Sequence, residues 1–428
     1  GLLGGAVVLA AILAPTAANA APGDLPPAPT PNSGPVYGGT EVTVHAPLDQ
    51  LSFKEVFSGV LNVFAKDHEG VLWSWGNNSR GQLGIGSTES SIFAATKVVL
   101  PAGVGSDFEF TDVVGAFAFT VALGNDGKTY AWGSNGCGQL GQPAIPASNN
   151  CPYGSDPAEM SVVPVEVQTP DGVSFVRISA TEAHTFALGD NGKLYSWGWD
   201  NHHVLGYDTL DTNYSPIPQE VPFPAGTVIA DFFAGGSHGI AVDTAGTLYT
   251  WGGNASGQLG DGENGSHSND STFDVDTPTV ISVPGATFKS VSAGFTHSLA
   301  LDAQGRIWSW GNNFAAQLGD GTSGSGLIDN GPITNVPTLI ATPGVTFASV
   351  SAGYAESLAH ASDGTLYQWG SIFDANDTGS MGRRTLVPTV LPAPPPVRQA
   401  WRHDPVATHR PGSSGSPVFA TVAKTERQ

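Results

Sequence analysis

Apolar and polar positions alternate in short runs along this chain, and each run is closed by glycine, proline or aspartate. In Phe288 to Val291 the alternation has the period of two expected of a half-buried strand. His297 to Leu301 alternates again, Asp302 to Gly305 supplies turn chemistry, and Arg306 to Trp310 reads as the returning arm of a hairpin. A Pro-containing run, VPTLIATPG, comes before the pattern starts afresh. Each cycle therefore predicts four short strands.

The cycle recurs six times, most visibly where an aromatic pair ends in Trp-Gly and leads to a Gln-Leu-Gly turn. The copies are LWSWGNNSRGQLG, TYAWGSNGCGQLG, LYSWGWDNHHVLG, LYTWGGNASGQLG, IWSWGNNFAAQLG and LYQWGSIFDANDTGSMG. Their tryptophans are Trp75, Trp132, Trp197, Trp251, Trp310 and Trp369, separated by 57, 65, 54, 59 and 59 residues. Four-strand units at this spacing cannot bury their apolar faces alone and must stack, which predicts an all-β fold, a β-propeller of six four-stranded repeats. Runs like PTLIATP are read as opening each unit, with EVTVHAP (Glu41 to Pro47) opening the first and PTVLPAP (Pro388 to Pro394) starting a seventh. Two closures stay open: six blades, with Glu41 to Pro47 completing the last, or a seven-blade ring lacking part of one.

Composition supports many tight turns, since 56 of 428 residues are Gly and only 12% are charged. Between Thr40 and Leu391 there are 34 acids against 11 Lys/Arg, so a phosphate backbone would be repelled and no nucleic-acid partner is expected. Residues 1–20, an apolar run ending in Ala18-Asn19-Ala20, have the h-region and cleavage site of a secretory signal peptide. Its apolar core, Leu2 to Leu13, is shorter than the ~20 residues that span a bilayer. A secreted or cell-surface, bacterial protein without membrane insertion is the expectation. Residues 21–39 form a Pro-rich spacer, 40–396 the propeller, and 397–428 a basic tail without repeat features that is expected to be disordered. In an exported chain the only two cysteines, Cys137 and Cys151, are expected to form a disulfide.

The units resemble the regulator of chromosome condensation (RCC) repeat, whose pattern is an AGxxHSLAL strand, a DG turn, a Trp-Gly strand and a GQLG turn. Ala293 to Gly321, AGFTHSLALDAQGRIWSWGNNFAAQLGDG, carries it almost throughout, and the resemblance runs from about Thr40 to Leu391. The sixth copy departs most, with GYAES for GxxHS, and the third reads HHVLG. The resemblance implies a propeller that presents loops on two faces, usually with seven blades, and roles ranging from partner recognition to inhibition of a β-lactamase or guanine-nucleotide exchange on a small GTPase.

Candidate chemistry is sparse. Thirteen residues before each Trp-Gly lie Asn62, Phe119, His184, His238, His297 and Glu356. Matched positions on separate blades do not converge on one ion, so structural hydrogen bonding within each blade is expected rather than a metal site. The loop from Asp261 to Asp276 gathers Asp261, Glu263, Asp270, Asp274 and Asp276, without the D-x-[DN]-x-[DN]-G spacing of a calcium loop, and reads as a solvated acidic loop. GSSGSPVF in the tail lacks the aspartate of a GDSGGP protease motif, and no catalytic set is identifiable. No enzyme and no cofactor are expected. The favoured function is a secreted, monomeric, non-catalytic scaffold that binds an unidentified protein partner, possibly basic. It would bind through variable loops: Gln142 to Ser161, Tyr207 to Pro218, Asp261 to Pro278 and Asp320 to Pro337. Inhibition of a secreted or envelope enzyme is the alternative, and nucleotide exchange fits an export signal poorly.

Overall fold

A computed structural model describes residues 52–148, 156–209, 212–264, 271–324, 332–372 and 383–391. The signal sequence, the spacer, the Glu41 to Pro47 run, Cys151, Asp270 and the basic tail lie outside them.

The described residues form six antiparallel sheets, each of four strands in chain order. The first blade is β1 (Phe53–Ser58), β2 (Asn62–Asp67), β3 (Leu72–Asn77) and β4 (Ser91–Lys97); the second is β5 (Phe110–Gly115), β6 (Phe119–Gly124), β7 (Thr129–Ser134) and β8 (Met160–Glu166). The third holds β9 (Phe175–Thr181), β10 (His184–Gly189), β11 (Leu194–Trp199) and β12 (Tyr214–Glu220). The fourth holds β13 (Ile229–Ala234), β14 (His238–Asp243), β15 (Leu248–Gly252) and β16 (Val275–Ile281). The fifth is β17 (Phe288–Ala293), β18 (His297–Asp302), β19 (Ile307–Asn312) and β20 (Ile333–Leu339). The sixth is β21 (Phe347–Ala352), β22 (Glu356–Ala361), β23 (Leu366–Ile372) and β24 (Arg383–Val390). No described residue is α-helical; two single 3₁₀ turns occur, at Pro157–Glu159 and Asn201–His203.

One expectation is corrected here. The Pro-containing runs do not open units: β20 pairs with β19 and β24 with β23, so each closes the sheet that precedes it. Pro388 belongs to the fourth strand of the sixth blade and starts no seventh. A period-two run carries no mark of which neighbour it will pair with, and the long loop before it hid the connection.

Blades pack in sequence. β5 packs on β1 and β2, β9 on β5 and β6, β13 on β9 and β10, β17 on β13 and β14, and β21 on β17 and β18. Each junction has its own apolar core shared by two blades. Between the fourth and fifth, Ile240, Val242 and Leu248 meet Phe288, Val291 and Trp310; between the fifth and sixth, Leu299, Leu301 and Ile307 meet Phe347 and Trp369. Among the described residues β1 has no comparable packing on β21 and β22. Among the described residues the six blades form five such junctions, and the sixth and first blades do not share one.

Candidate functional site

The Trp-Gly signature builds the seams. In the fifth blade Gly311 has φ +104° and a Cβ there would stand 2.6 Å from the Thr296 carbonyl, so no other residue fits. The pairing of β19 with β20 slips between Ser309 and Gly311, at a bulge that includes Trp310. Trp310 packs among residues of the fourth blade and donates its Nε1–H to the Gln258 carbonyl at 2.8 Å. The same bond recurs from Trp132 to Gln82, from Trp197 to Gln139, from Trp251 to Val204 and from Trp369 to Gln317, at 2.8–3.0 Å. Those five indoles are fully buried. Trp75, which has no preceding blade among the described residues, is only half-buried.

The column that suggested a metal ring is part of the same seams. His238 Nε2 lies 2.9 Å from Ser298 Oγ, and Ser298 donates at 2.8 Å to the Gln258 carbonyl that also receives Trp310. His297 repeats this with Ser357 at 3.0 Å, above the Gln317 carbonyl. His184 meets Thr181 Oγ1 at 3.2 Å. The expectation of bonding within a blade is therefore corrected for His238 and His297, whose partners belong to the next blade. Burial holds their imidazoles down to about 3 and that of His184 to about 4, so all three are neutral. Phe119 is buried, and Asn62 is buried against Gly59 and Gly115. Glu356 takes the histidine position in the sixth blade, where desolvation pushes its carboxyl up to about 8.

Two faces result, and their contents differ. The end of the third strand bonds to the turn between the first two strands, as in Asn77 to Leu61, Ser134 to Ala118, Asn312 to Thr296 and Ser371 to Ala355, so the loop that leaves it starts on that side. The described parts of all four long variable loops therefore share one face with those inner turns. The inner turns place Val60, Phe117, Glu182, Phe295 and Tyr354 at one matched position, each half-buried. Phe295 lies over Gly236, where a Cβ would come within 2.6 Å of its ring, and Tyr354 packs on Phe295 with centroids 4.7 Å apart. Desolvation pushes the Glu182 carboxyl up to about 7. Sequence reading missed this set because its members share a position without sharing a residue type.

Both faces carry acidic groups. On the opposite face Lys128 pairs with Glu166 at 2.7 Å, Lys193 with Glu220 at 2.8 Å, and Arg306 with Asp302 at 2.7 Å. The loop face carries Asp261, Glu263, Asp274, Asp276 and Asp320. Asp274 is held by His202 at 2.7 Å and by the Asn254 amide, and Asp261 by the Asn254 side chain. No group of three or more metal-ligating side chains occurs among the described residues. Cys137 is buried in the second blade's turn, where its N–H donates to Gln139 Oε1.

A family model described as the RCC1-like domain matches residues 102–409, and one described as the regulator of chromosome condensation (RCC1) repeat matches residues 69–123. The chain is 28% identical over 277 residues to the Ultraviolet-B receptor UVR8 of Arabidopsis thaliana, covering 64% of this chain and 57% of that protein. It is 27% identical over 347 residues to protein pim1 of Schizosaccharomyces pombe, covering 76% and 60%. It is 29% identical over 306 residues to the human E3 ubiquitin-protein ligase HERC2, covering 70% of this chain and 6% of that one. The match thus spans less than two thirds of each of these relatives. Among solved structures, human WBSCR16 superposes with a TM-score of 0.64 at 20% identity, covering 81% of this chain and 83% of that one. Saccharomyces cerevisiae Prp20p, described with its binding to Gsp1p and histones, gives 0.63 at 22%, covering 82% and 80%. These two likenesses establish the fold alone.

Proposed function

Because the chain belongs to the RCC1-like domain family, whose model matches residues 102–409, we propose that it is a non-catalytic scaffold that binds another protein through its loop face, outside the cell. The carrying observation is that the long variable loops and the half-buried Phe117, Phe295 and Tyr354 share one face. Aromatic groups that are partly wet are suited to recognition, because they bury large area at little entropic cost. The acidic loops around them favour a partner with a basic surface, brought in by long-range attraction. The apolar run ahead of Ala18-Asn19-Ala20 supports export. Inhibition of an exported enzyme is one form this binding would take.

The test is capture of exported and envelope proteins by the chain and by two variants. Phe295→Asp, on the loop face, is expected to lose at least about 10-fold of a stoichiometric partner, the scale of a hot-spot loss. Lys193→Glu, on the opposite face, is expected to keep it, and salt is expected to weaken capture. Equal capture by the Phe295→Asp variant would overturn the assignment of the face.

A further inference from the structure

The inner turns of the third to sixth blades are tied directly to one another. Thr181 Oγ1 donates to the Gly235 carbonyl at 2.7 Å, the Gly236 N–H to the Gly294 carbonyl at 3.2 Å, and the Phe295 N–H to the Gly353 carbonyl at 3.2 Å. Glu182, Gly236, Phe295 and Tyr354 hold the matched position of these turns and so stand side by side on one arc, with Phe117 at the same position of the second blade. Gly236 contributes no side chain, and the Phe295 ring takes the space above it; a Cβ at Gly236 would stand 2.6 Å from that ring. Tyr354 packs on Phe295 and is itself set against Phe314, Ala315 and Ala355, so the aromatic pair is held in place. Glu182 is the odd member. Glu55 and Asp231, on other innermost strands, each have a cation, Lys66 at 2.8 Å and Arg177 at 2.7 Å. No hydrogen bond or ion pair reaches the Glu182 carboxylate among the described residues, and desolvation alone acts on it. A partly dry carboxylate without a partner is a cost that only a cation from outside relieves.

We infer that this arc receives a guanidinium, the side chain of an arginine on the protein partner. The inference rests on the loop-face reading above and names the group which that face recognises. Three properties select it. A carboxylate accepts two parallel N–H bonds from a guanidinium, which no ammonium can offer. Aromatic rings beside the carboxylate attract a cation and let a planar one stack. Guanidinium is also the more weakly hydrated cation, so a half-dry site strips it of water at less cost. Arginines of the chain itself are committed elsewhere: Arg177 to Asp231, Arg306 to Asp302 and Arg384 to the Gly324 carbonyl. The net charge of −21 draws a basic partner towards the molecule, and Glu182 gives one of its side chains a place to end.

Titration of the isotope-labelled full chain with a blocked Gly-Arg-Gly peptide, followed by amide chemical shifts, tests this directly. Shifts are expected to gather at Glu182, Gly236, Phe295 and Tyr354. The same peptide with citrulline for arginine, alike in shape and uncharged, is expected to bind at least about 10-fold more weakly, the scale of a hydrogen bond to a charged group. Glu182→Gln keeps the shape and removes the charge; it is expected to lose the same factor for the arginine peptide while the signals of β10 and β14 stay in place. Phe295→Leu is expected to weaken the arginine peptide by about 3-fold, one exposed cation–aromatic contact, and to keep its preference over citrulline. Equal binding of the arginine and citrulline peptides would overturn the inference, as would arginine binding that survives Glu182→Gln. A blocked Gly-Lys-Gly peptide that binds equally well would overturn the choice of guanidinium. Failure of the arginine peptide while a partner is still captured through Phe295 would sink this inference and spare the scaffold reading. Arginine binding that depends on Glu182, with no partner captured, would support the site and sink that reading instead.

Discussion

His238 Nε2 and Ser298 Oγ, sixty residues apart, meet at 2.9 Å across the seam between the fourth and fifth blades. Ser298 donates to the Gln258 carbonyl, so it must accept from His238, which fixes the Nε2–H tautomer of a fully buried imidazole. One main-chain oxygen thus gathers a hydroxyl and an indole, and the hydroxyl in turn anchors a histidine.

Removing the hydroxyl tests that relay. Ser298→Ala leaves the His238 Nε2–H buried without an acceptor, and is expected to cost about 2 kcal/mol. Chemical denaturation of the folded chain reads the cost. A loss below about 0.5 kcal/mol, the size of an ordinary surface change, would show that the relay is dispensable.

Tryptophans at formed and open seams should differ. Trp310→Phe removes the donor to the Gln258 carbonyl and leaves a void in a closed core, at an expected cost of about 2–3 kcal/mol. Trp75→Phe acts at a half-buried ring with no such bond among the described residues, and is expected to cost less than half as much. Equal losses in the two variants would mean that Trp75 is as fully enclosed as the other five.

Buried titrating groups set opposite pH limits. His184, His238 and His297 are depressed to about 4, 3 and 3, so the unfolded chain binds protons first. The stability they confer is present above about 6.5 and is lost as pH falls towards 3. Glu356 is raised from 4.5 to about 8, so its contribution is complete below 4.5 and is lost as pH rises through 8. Melting temperature from pH 4 to 9 should therefore fall at both ends, and Glu356→Gln should lessen the alkaline fall alone, leaving the part due to Glu182, which is raised to about 7. An unchanged alkaline fall in that variant would assign the limb to other groups.

Left-handed backbone at a side-chain-bearing residue offers a gain. His203 is exposed with φ +58°, at the position where Gly81, Gly138 and Gly257 stand in other turns. His203→Gly is expected to stabilise by about 0.5–1 kcal/mol, the left-handed strain relieved less the entropy of the added glycine. Denaturant midpoints at constant slope check it.

Cys137 and Cys151 are proposed to form a bridge, closing a loop whose cross-link is worth about 3 kcal/mol on a chain-entropy estimate. Intact mass should rise by about 2 Da on reduction. No change would leave two thiols and remove the bridge.

Much of this architecture was readable because its rules are local. Trp-Gly and Gln-Leu-Gly mark a bulge and a turn that depend on neighbouring residues, so six copies announced six blades. The partner of each indole was not readable, because the acceptor is a backbone carbonyl and any residue supplies one. The histidine column was legible as a position and misjudged as a contact, since its hydroxyl partners stand one unit further along. Phe117, Glu182, Phe295 and Tyr354 were invisible as a set, for only folding turns one matched position into one rim.

The third blade reads Val204 where the first, second, fourth and fifth carry glutamine, and Trp251 donates to its carbonyl at 2.8 Å as the other indoles do to theirs. Joints made with main-chain oxygens are indifferent to the side chains that flank them. Such a molecule can alter the tips of its turns, and so what it recognises, without loosening the fastening of one blade to the next.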